Sequence, residues 1–187
     1  MPSPDVELIP ATAADADLLA AMHTESWRQT YAGLLPDAYL SREAPDERRA
    51  AWRARMLDGA DGPLEVTLAR VGGQPAGFAC LAPQAEPAHG IYLDNLHVLP
   101  AFHGHGLGKL LLAHCAQRVA TGWPDRPLFL YVLEGNAQAR EFYRRLGGTE
   151  SESFEDEFPG AEGQVSIRRV TWPDVGALRT RLVPRQP

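Results

Sequence analysis

The sequence contains few of the features that reveal a protein class at once. Its 187 residues include two cysteines, Cys80 and Cys115, and a single lysine, Lys109. Each cysteine lies in an apolar segment without a nearby partner, so we expect two small buried side chains rather than a disulfide or a metal pair. Arginine supplies the other cationic side chains, and a GC-rich coding bias explains this skew without reference to function.

Long apolar runs and a surplus of basic residues are also lacking. No apolar run approaches the ~20 residues of a membrane-spanning helix, and residues 1–10 lack the basic start and apolar centre of a signal peptide. We therefore expect a cytoplasmic protein that does not bind membranes. The formal net charge of −6 argues against a nucleic-acid partner, which would need a broad basic face.

What is present fits one globular domain. Hydrophobic residues make up 44% of the chain and charged residues 22%, which are ordinary values for a domain with a sizeable core. The apolar periodicity predicts strands at 6–9, 64–71, 74–82, 91–98, 128–133, 149–154 and 164–170, and helices at 13–28, 45–57, 107–122 and 137–146. This order predicts an α/β domain over residues 1–172, with a mixed, mostly antiparallel sheet of about seven strands flanked by helices. Residues 173–187 are expected to form a polar, loosely held C-terminal tail.

A loop with three glycines, Gly104, Gly106 and Gly108, separates an apolar strand from a helix. Such a loop leaves unpaired backbone N–H groups at the positive end of the helix dipole, which suits a phosphate group. A Walker loop is excluded, because Lys109 precedes Leu110 rather than the serine or threonine that would hold magnesium. A dinucleotide fold fits poorly, because predicted hairpins precede the loop where a parallel βαβ unit is needed.

Four histidines in this region raise a metal site as a further interpretation. They are His97, His103, His105 and His114. No carboxylate or cysteine completes a ligand set at a suitable spacing, so we expect no metal. Strand packing explains His97, the helix surface explains His114, and positions in a polar loop explain the other two.

Two motifs resemble those of the GNAT N-acetyltransferase superfamily. Residues 96–108 read L-H-V-x-P-x-x-H-x-x-G-x-G and are similar to the acetyl-CoA loop of that family, although His103 stands where glutamine or arginine is usual. Residues 136–147 read N-x-x-A-x-x-F-Y-x-x-L-G and resemble its second motif. Two motifs in the right order are far more specific than one glycine pattern. The resemblance covers residues 6–172 and is strongest from 94 to 148.

The resemblance implies acetyl-CoA as the co-substrate, without a metal, and the acyl-CoA N-acyltransferase fold. In that fold the strands ending at Val98 and Leu133 splay apart at the cofactor site. The backbone of residues 96–98 would pair with the pantetheine arm, and the amides of residues 104–109 would hold the pyrophosphate. The implied cofactor-binding residues are Leu96, His97, Val98, His103, Gly104, His105, Gly106, Leu107, Gly108, Lys109, Asn136, Ala139, Phe142 and Tyr143.

The resemblance also implies catalytic roles. Tyr143 matches the general acid that protonates the departing CoA thiolate, and a core tyrosine is the alternative interpretation. Many relatives place a carboxylate, which serves as the general base, where Tyr92 stands here. Asp94 lies two residues further on, on the same face by strand alternation, and is our candidate base. Alternation places His97 on the opposite face unless a bulge interrupts the strand. Neither cysteine falls in the motifs, so we expect no covalent intermediate.

The acceptor site is expected at the first two helices and the final strands. Its candidate lining residues are Glu25, Trp27, Tyr31, Tyr39 and Tyr92, with packing in the core as the alternative for the aromatic ones. The acidic residues between 150 and 157 would attract a cationic amine or form a solvated surface. The function implied is N-acetylation of a small-molecule or peptide amine in a ternary complex. The alternative is a CoA-binding sensor or partner domain without activity, and a homodimer stays open.

Overall fold

The computed structural model describes residues 5–182. Its strands are β1 (Val6–Pro10), β2 (Glu65–Val71), β3 (Gln74–Ala82), β4 (Ile91–Val98), β5 (Leu128–Leu133), β6 (Thr149–Glu150), β7 (Phe154–Glu157) and β8 (Gln164–Trp172). Its helices are α1 (Ala16–Thr30), α2 (Ala44–Leu57), α3 (Leu107–Gly122), α4 (Ala137–Arg145) and α5 (Val175–Leu182). A short 3-10 turn precedes α1, another precedes the glycine loop, and a π-helical turn precedes α2.

The strands form one open sheet in the order β1-β2-β3-β4-β5-β8-β6, and β7 also pairs with β8. Every neighbouring pair is antiparallel except β4 and β5, which are parallel. The predicted class, a mixed and mostly antiparallel sheet flanked by helices, is confirmed. The final segment predicted as one strand is divided into β6 and β7. Between them the Ser151 side chain, rather than a carbonyl, accepts from the Arg169 N–H at 3.0 Å, which interrupts the ladder.

Strand β4 carries a β-bulge at Asp94. Cys80 of β3 pairs with Asn95, whereas Leu81 pairs with Leu93, so Asp94 is the extra residue. The alternation of apolar residues does not predict the bulge, because the sequence is similarly apolar on both sides of it.

The bulge changes the direction of the side chains that follow. His97 contacts α1 through Ser26, and Asp94 contacts α2 through Arg55, so both side chains lie on the face that these two helices cover. Simple alternation, which places His97 on the opposite face from Asp94, therefore does not hold, and the bulge predicted as its exception is present. The physical reason is the extra residue, which shifts the alternation by one position.

Strands β4 and β5 separate soon after they begin. They share two residue pairs, the last between Tyr92 and Phe129. Beyond it β4 continues beside β3 as far as Val98, and β5 continues beside β8 as far as Leu133. The strand ends therefore splay apart as expected, and the edge of β4 that faces β5 is left without a strand partner.

Helices cover both faces of the sheet. On one face, Leu19 of α1 and Trp52 of α2 pack against Leu68, Phe78 and Cys80 of β2 and β3. On the other face, α3, α4 and α5 pack on a larger cluster that extends from β2 to β8. Both cysteines are buried and unpaired, as predicted. The glycine loop thus begins a helix that is anchored in the larger cluster.

The C-terminal segment differs from the sequence expectation. Helix α5 packs against α3 and buries Val175 and Leu178. The Asp174 carboxylate accepts a hydrogen bond from the Ala177 N–H at 3.0 Å and so caps this helix. The prediction of a loosely held tail is therefore wrong for residues 175–182, because two apolar side chains three residues apart give the helix a buried face. The rest of the predicted tail, 183–187, lies outside the described residues.

Candidate active site

The glycine loop forms an open cradle for an anion. Gly104 and Gly106 have φ angles of 78° and 76°, in the left-handed region where a residue with a Cβ is strained. A Cβ built on either glycine would meet no atom within 4 Å, so the space beside the loop is open. Gly106 is the N-cap of α3, a helix of 16 residues, and the first N–H groups of that helix lack intrahelical partners. These amides and this space fit the diphosphate of coenzyme A.

His103 ties the loop to the preceding strand. Its Nε2 lies 2.8 Å from the Val98 carbonyl oxygen, and the ring N–H donates to that oxygen. The side chain is otherwise exposed. In this chain the histidine at the usual glutamine or arginine position thus fixes the start of the loop, and its contact with a phosphate stays a prediction.

The two motifs meet at Gly108. A Cβ on this residue would lie 3.8 Å from Val98 Cγ2 and 3.9 Å from Phe142 Cζ, so the loop, the end of β4 and α4 converge here. Asn136 begins α4, and its Oδ1 accepts a hydrogen bond from the Ala139 N–H at 3.2 Å. The structure therefore brings together the residues that the resemblance selects from both motifs.

The other predicted cofactor-binding residues lie on the same strand end and loop. Leu96 and Val98 pack their side chains against the larger core cluster, and Leu107 is buried in it. Their backbone groups are therefore what they offer to a ligand. His105 and Lys109 are exposed beside the cradle.

Tyr143 is buried on α4, the helix that follows β5. Its ring packs against Phe142 at 5.2 Å and Trp172 at 5.8 Å between centroids. The Trp172 Nε1–H donates to the Leu146 carbonyl at 3.1 Å, which fixes the end of α4 on the sheet. Burial, and after it the nearby Tyr31, raises the pKa of the Tyr143 phenol, so the phenol is protonated at neutral pH. Within residues 5–182 its hydroxyl has no hydrogen-bond partner, which leaves its proton available.

Asp94 is held in an ion pair. Its Oδ2 accepts hydrogen bonds from Arg55 Nη2 and Asn95 Nδ2, both at 2.5 Å. Arg55 also lies 2.5 Å from an Asp61 oxygen, and its guanidinium stacks over the Trp52 ring at 4.8 Å. A carboxylate that fastens α2 to β4 in this way has a structural role. The role of Asp94 as general base stays a prediction.

A group of buried polar side chains on α1 was missed by sequence reasoning. The His97 Nδ1 lies 2.9 Å from Ser26 Oγ, and the His97 and His23 rings are 4.6 Å apart. The His23 Nδ1 accepts a hydrogen bond from the Trp52 Nε1–H at 3.0 Å. The signal was present in the sequence: His23 and Ser26 lie three residues apart on the apolar face of α1, where nonpolar residues are expected.

Three aromatic rings form a wall between α1 and the loop before β8. Trp27 stacks on Phe158 at 5.4 Å, and Tyr31 meets both rings at 5.3 Å. The Arg48 guanidinium lies over the Trp27 ring at 4.7 Å from its centroid. Burial raises the pKa of Tyr31 to about 12, so this wall is uncharged apart from Arg48. Trp27 is buried in a core cluster with Tyr39, as the packing alternative expects, whereas Tyr31 and the unpredicted Phe158 are partly exposed beside it.

The remaining acceptor candidates lie elsewhere. Tyr92 stacks on Phe129 at 5.1 Å and meets Tyr131 at 5.6 Å, in a separate aromatic group. Tyr39 is buried, and its hydroxyl donates to Glu47 at 2.7 Å, as the packing alternative expects. Glu25 is exposed on α1. The side chains of the acidic strand β7 are exposed as well, which is compatible with a solvated surface.

Two classes of site find no support among the described residues. Within residues 5–182, no three histidine, cysteine, aspartate or glutamate side chains form a group that could hold a metal ion. No helix in that same part of the chain has the length and apolar character needed to span a membrane.

Comparisons with known proteins agree with the geometry. The sequence profile of the Acetyltransferase (GNAT) family matches residues 20–148. A probable N-acetyltransferase of Mycobacterium tuberculosis is 28% identical over 141 residues, which are 75% of this chain and 78% of that protein. The uncharacterized N-acetyltransferase YuaI of Bacillus subtilis is 29% identical over 167 residues, 88% of this chain and 91% of that protein.

A solved structure shares the fold. The PaiA N-acetyltransferase of Thermoplasma acidophilum, in complex with coenzyme A, superposes with a TM-score of 0.70 over 90% of this chain and 99% of that chain. The two sequences are 19% identical, so this likeness concerns the fold alone. The family match spans most of the chain and includes both motifs and the cradle described above. The chain therefore belongs to the Acetyltransferase (GNAT) family of acyltransferase enzymes.

Proposed function

We propose that the protein transfers an acetyl group from acetyl-CoA to a primary amine, which attacks directly within a ternary complex. The observation that carries this proposal is the separation of β4 from β5 beside a glycine loop that opens at the N-terminus of α3. The free edge of β4 suits an extended arm that pairs with backbone groups, and the loop suits phosphates. Bound acetyl-CoA supplies the activated thioester carbonyl.

The chain's own residues hold and orient this donor. Backbone groups of residues 96–98 pair with the arm, and the amides of residues 104–109 hold the diphosphate. Asn136 uses Oδ1 to cap α4 and presents its NH₂ group to the arm. Phe142, which approaches Val98 and Gly108, covers the arm from the side of α4. A backbone N–H near Val98 polarises the thioester carbonyl.

Tyr143 donates its phenolic proton to the departing sulfur. Its raised pKa keeps the proton in place until negative charge develops on the leaving group. A phenol with an ordinary pKa of about 10 performs this step only when it is held close to the sulfur, and the packing against Phe142 and Trp172 provides that rigidity.

The acceptor is a primary amine on a small molecule or a peptide. The partly exposed rings of Tyr31 and Phe158, which pack on the buried Trp27, are the surface on which we place its apolar part. Direct transfer is supported by the state of both cysteines: burial raises the pKa of the Cys80 thiol, and that of Cys115 to about 12, which makes both sulfurs poor nucleophiles.

Thiol release tests the proposal. Purified protein is incubated with acetyl-CoA and a panel of polyamines, amino acids, aminoglycosides and peptides, and free CoA is measured. We expect release that depends on one class of amine. The Tyr143→Phe variant should bind acetyl-CoA normally and release CoA far more slowly.

The alternative, a CoA-binding sensor or partner domain, has one observation in its favour. Tyr92 stands at the position where the resemblance implies a carboxylate in many relatives, and the nearby Asp94 is paired with Arg55. If calorimetry shows CoA binding while no amine of the panel causes thiol release, the sensor is the better description.

A further inference from the structure

The proton of the attacking amine needs an acceptor, and the ion pair of Asp94 with Arg55 leaves that role open. The inference drawn here rests on the proposed function. As the lone pair of an amine forms a bond to a carbonyl carbon, the nitrogen becomes more acidic. A neutral base placed beside it can therefore take the proton during the attack.

His97 lies at the place where such a base is needed. It follows the last residue pair between β4 and β5, on the strand edge left open for the donor. The bulge at Asp94 turns its side chain towards α1, the helix that carries Trp27 of the aromatic wall. The reacting carbonyl and the acceptor amine meet between these two elements in the proposed function.

Neighbouring side chains hold the His97 ring in place, and one of its two nitrogens makes no hydrogen bond. It packs against Phe78 at 5.2 Å and against His23 at 4.6 Å between centroids. Its Nδ1 lies 2.9 Å from Ser26 Oγ. Its Nε2 has no hydrogen-bond partner within residues 5–182, and the side chain is partly exposed. This nitrogen is thus held in a defined direction and is open to a ligand.

The surroundings keep this imidazole neutral. Burial lowers the pKa of His97 to about 4. His23 is neutral as well, because its Nδ1 accepts from a tryptophan N–H, which can only donate. Arg48 and Arg55 are close enough to lower the pKa of His23 further, after burial and His97 itself. His97 is therefore unprotonated at neutral pH and can accept a proton.

We propose that His97 accepts the proton of the attacking amine at Nε2, while Ser26 holds Nδ1. With the ring proton on Nδ1 and donated to Ser26 Oγ, the lone pair of the imidazole resides on Nε2. As the N–C bond forms and the C–S bond breaks, the amine N–H proton moves to Nε2 and the Tyr143 proton moves to sulfur. Water then carries the proton from His97 to the Tyr143 phenolate, which restores both groups.

Chemical rescue tests this role. The His97→Ala variant should bind acetyl-CoA within about twofold of wild type in calorimetry and lose roughly 10²–10³-fold in turnover, the usual contribution of a general base. Added imidazole should restore turnover in a saturable manner, because it fits the space left by the ring. A purely structural role for the ring would give no rescue. If the alanine variant does not fold, His97→Gln keeps the volume and should show the same loss without rescue.

A second readout is independent of turnover. Nitrogen-15 NMR of the imidazole rings should show His97 with an unprotonated Nε2 in the protein bound to CoA. The Ser26→Ala variant should show a mixture of the two tautomers and a loss of turnover of roughly tenfold. His114→Ala serves as the matched control, because this histidine lies on α3 outside the site, and it should change neither measurement.

The possible results distinguish a failure of the His97 assignment from a failure of the proposed function. A protonated Nε2 in the wild type, or normal turnover in a folded His97→Ala variant, would overturn the assignment while leaving the acetyltransferase intact. A loss of turnover in a folded His97→Ala variant that imidazole does not restore would make His97 a packing residue. A wild-type protein that binds CoA and acetylates no amine would overturn the proposed function and the role of His97 with it.

Discussion

If the glycine loop holds the diphosphate of CoA, the Gly106→Glu variant should bind CoA weakly. Gly106 has a φ of 76° and open space beside it, so a side chain fits sterically and extends to where a phosphate would lie. The left-handed conformation costs a residue with a Cβ about 1–2 kcal/mol. In a domain of this size such a cost lowers the melting temperature by several degrees, at roughly 2–4 °C per kcal/mol, and the fold survives.

Electrostatic repulsion should weaken CoA binding more than the backbone strain does. A carboxylate about 5 Å from one phosphate charge, at an effective dielectric constant of about 20, is repelled by about 3 kcal/mol. That repulsion weakens binding about 10²-fold. The Gly106→Gln variant has the same shape and the same backbone strain without the charge, so it should weaken CoA binding much less.

Calorimetry with CoA measures these effects, and circular dichroism confirms that each variant is folded. The Gly59→Glu variant is the control for strain and net charge, because Gly59 has a φ of 67°, open surroundings and a position at the end of α2. It should bind CoA like wild type. Normal CoA affinity in a folded Gly106→Glu protein would refute the cradle, and equal losses in the glutamate and glutamine variants would refute the electrostatic reasoning.

Three further predictions follow from the contacts described above. Tyr143→Phe should lower turnover by roughly 10²–10⁴-fold and leave the calorimetric affinity for acetyl-CoA unchanged. Arg55→Leu leaves the partly buried Asp94 unpaired and should lower the free energy of unfolding by about 3 kcal/mol in urea titrations, whereas Arg53→Leu at an exposed pair should change it little. Burial lowers the pKa of His97 in the folded protein to about 4. As the pH falls from about 6.5 towards 4, the unfolded chain therefore takes up this proton while the folded protein does not. The free energy of unfolding decreases over this range by roughly 3 kcal/mol. In thermal melts between about pH 7 and pH 5, the His97→Gln variant should lose less stability than wild type.

Local features of the sequence were enough to predict the elements around the glycine loop. The cradle depends on glycines and a helix start, and Asn136 caps α4 through its own side chain as the motif implies. These features involve residues a few positions apart, where pattern and chemistry coincide. The division of the final strand escaped prediction, because it depends on Ser151 meeting Arg169 across the ladder.

Long-range contacts determine the parts of the site that prediction missed. The bulge at Asp94 appears only when β3 is paired with β4, and it places His97 on the face that α1 covers. The ion pair of Asp94 with Arg55 joins residues 39 positions apart, and strand alternation alone cannot reveal it. The general base is therefore the role for which the sequence and the three-dimensional contacts give different candidates.

The most direct test of the account follows the acetyl group itself. Acetyl-CoA carrying a carbon-13 acetyl group is mixed with the protein and with the amine that releases the most CoA, and both products are quantified by mass spectrometry. We expect one labelled N-acetyl amine for each free CoA released, with no labelled protein. Release of CoA with labelled acetate instead of a labelled amine, or CoA binding without any release, would contradict that expectation.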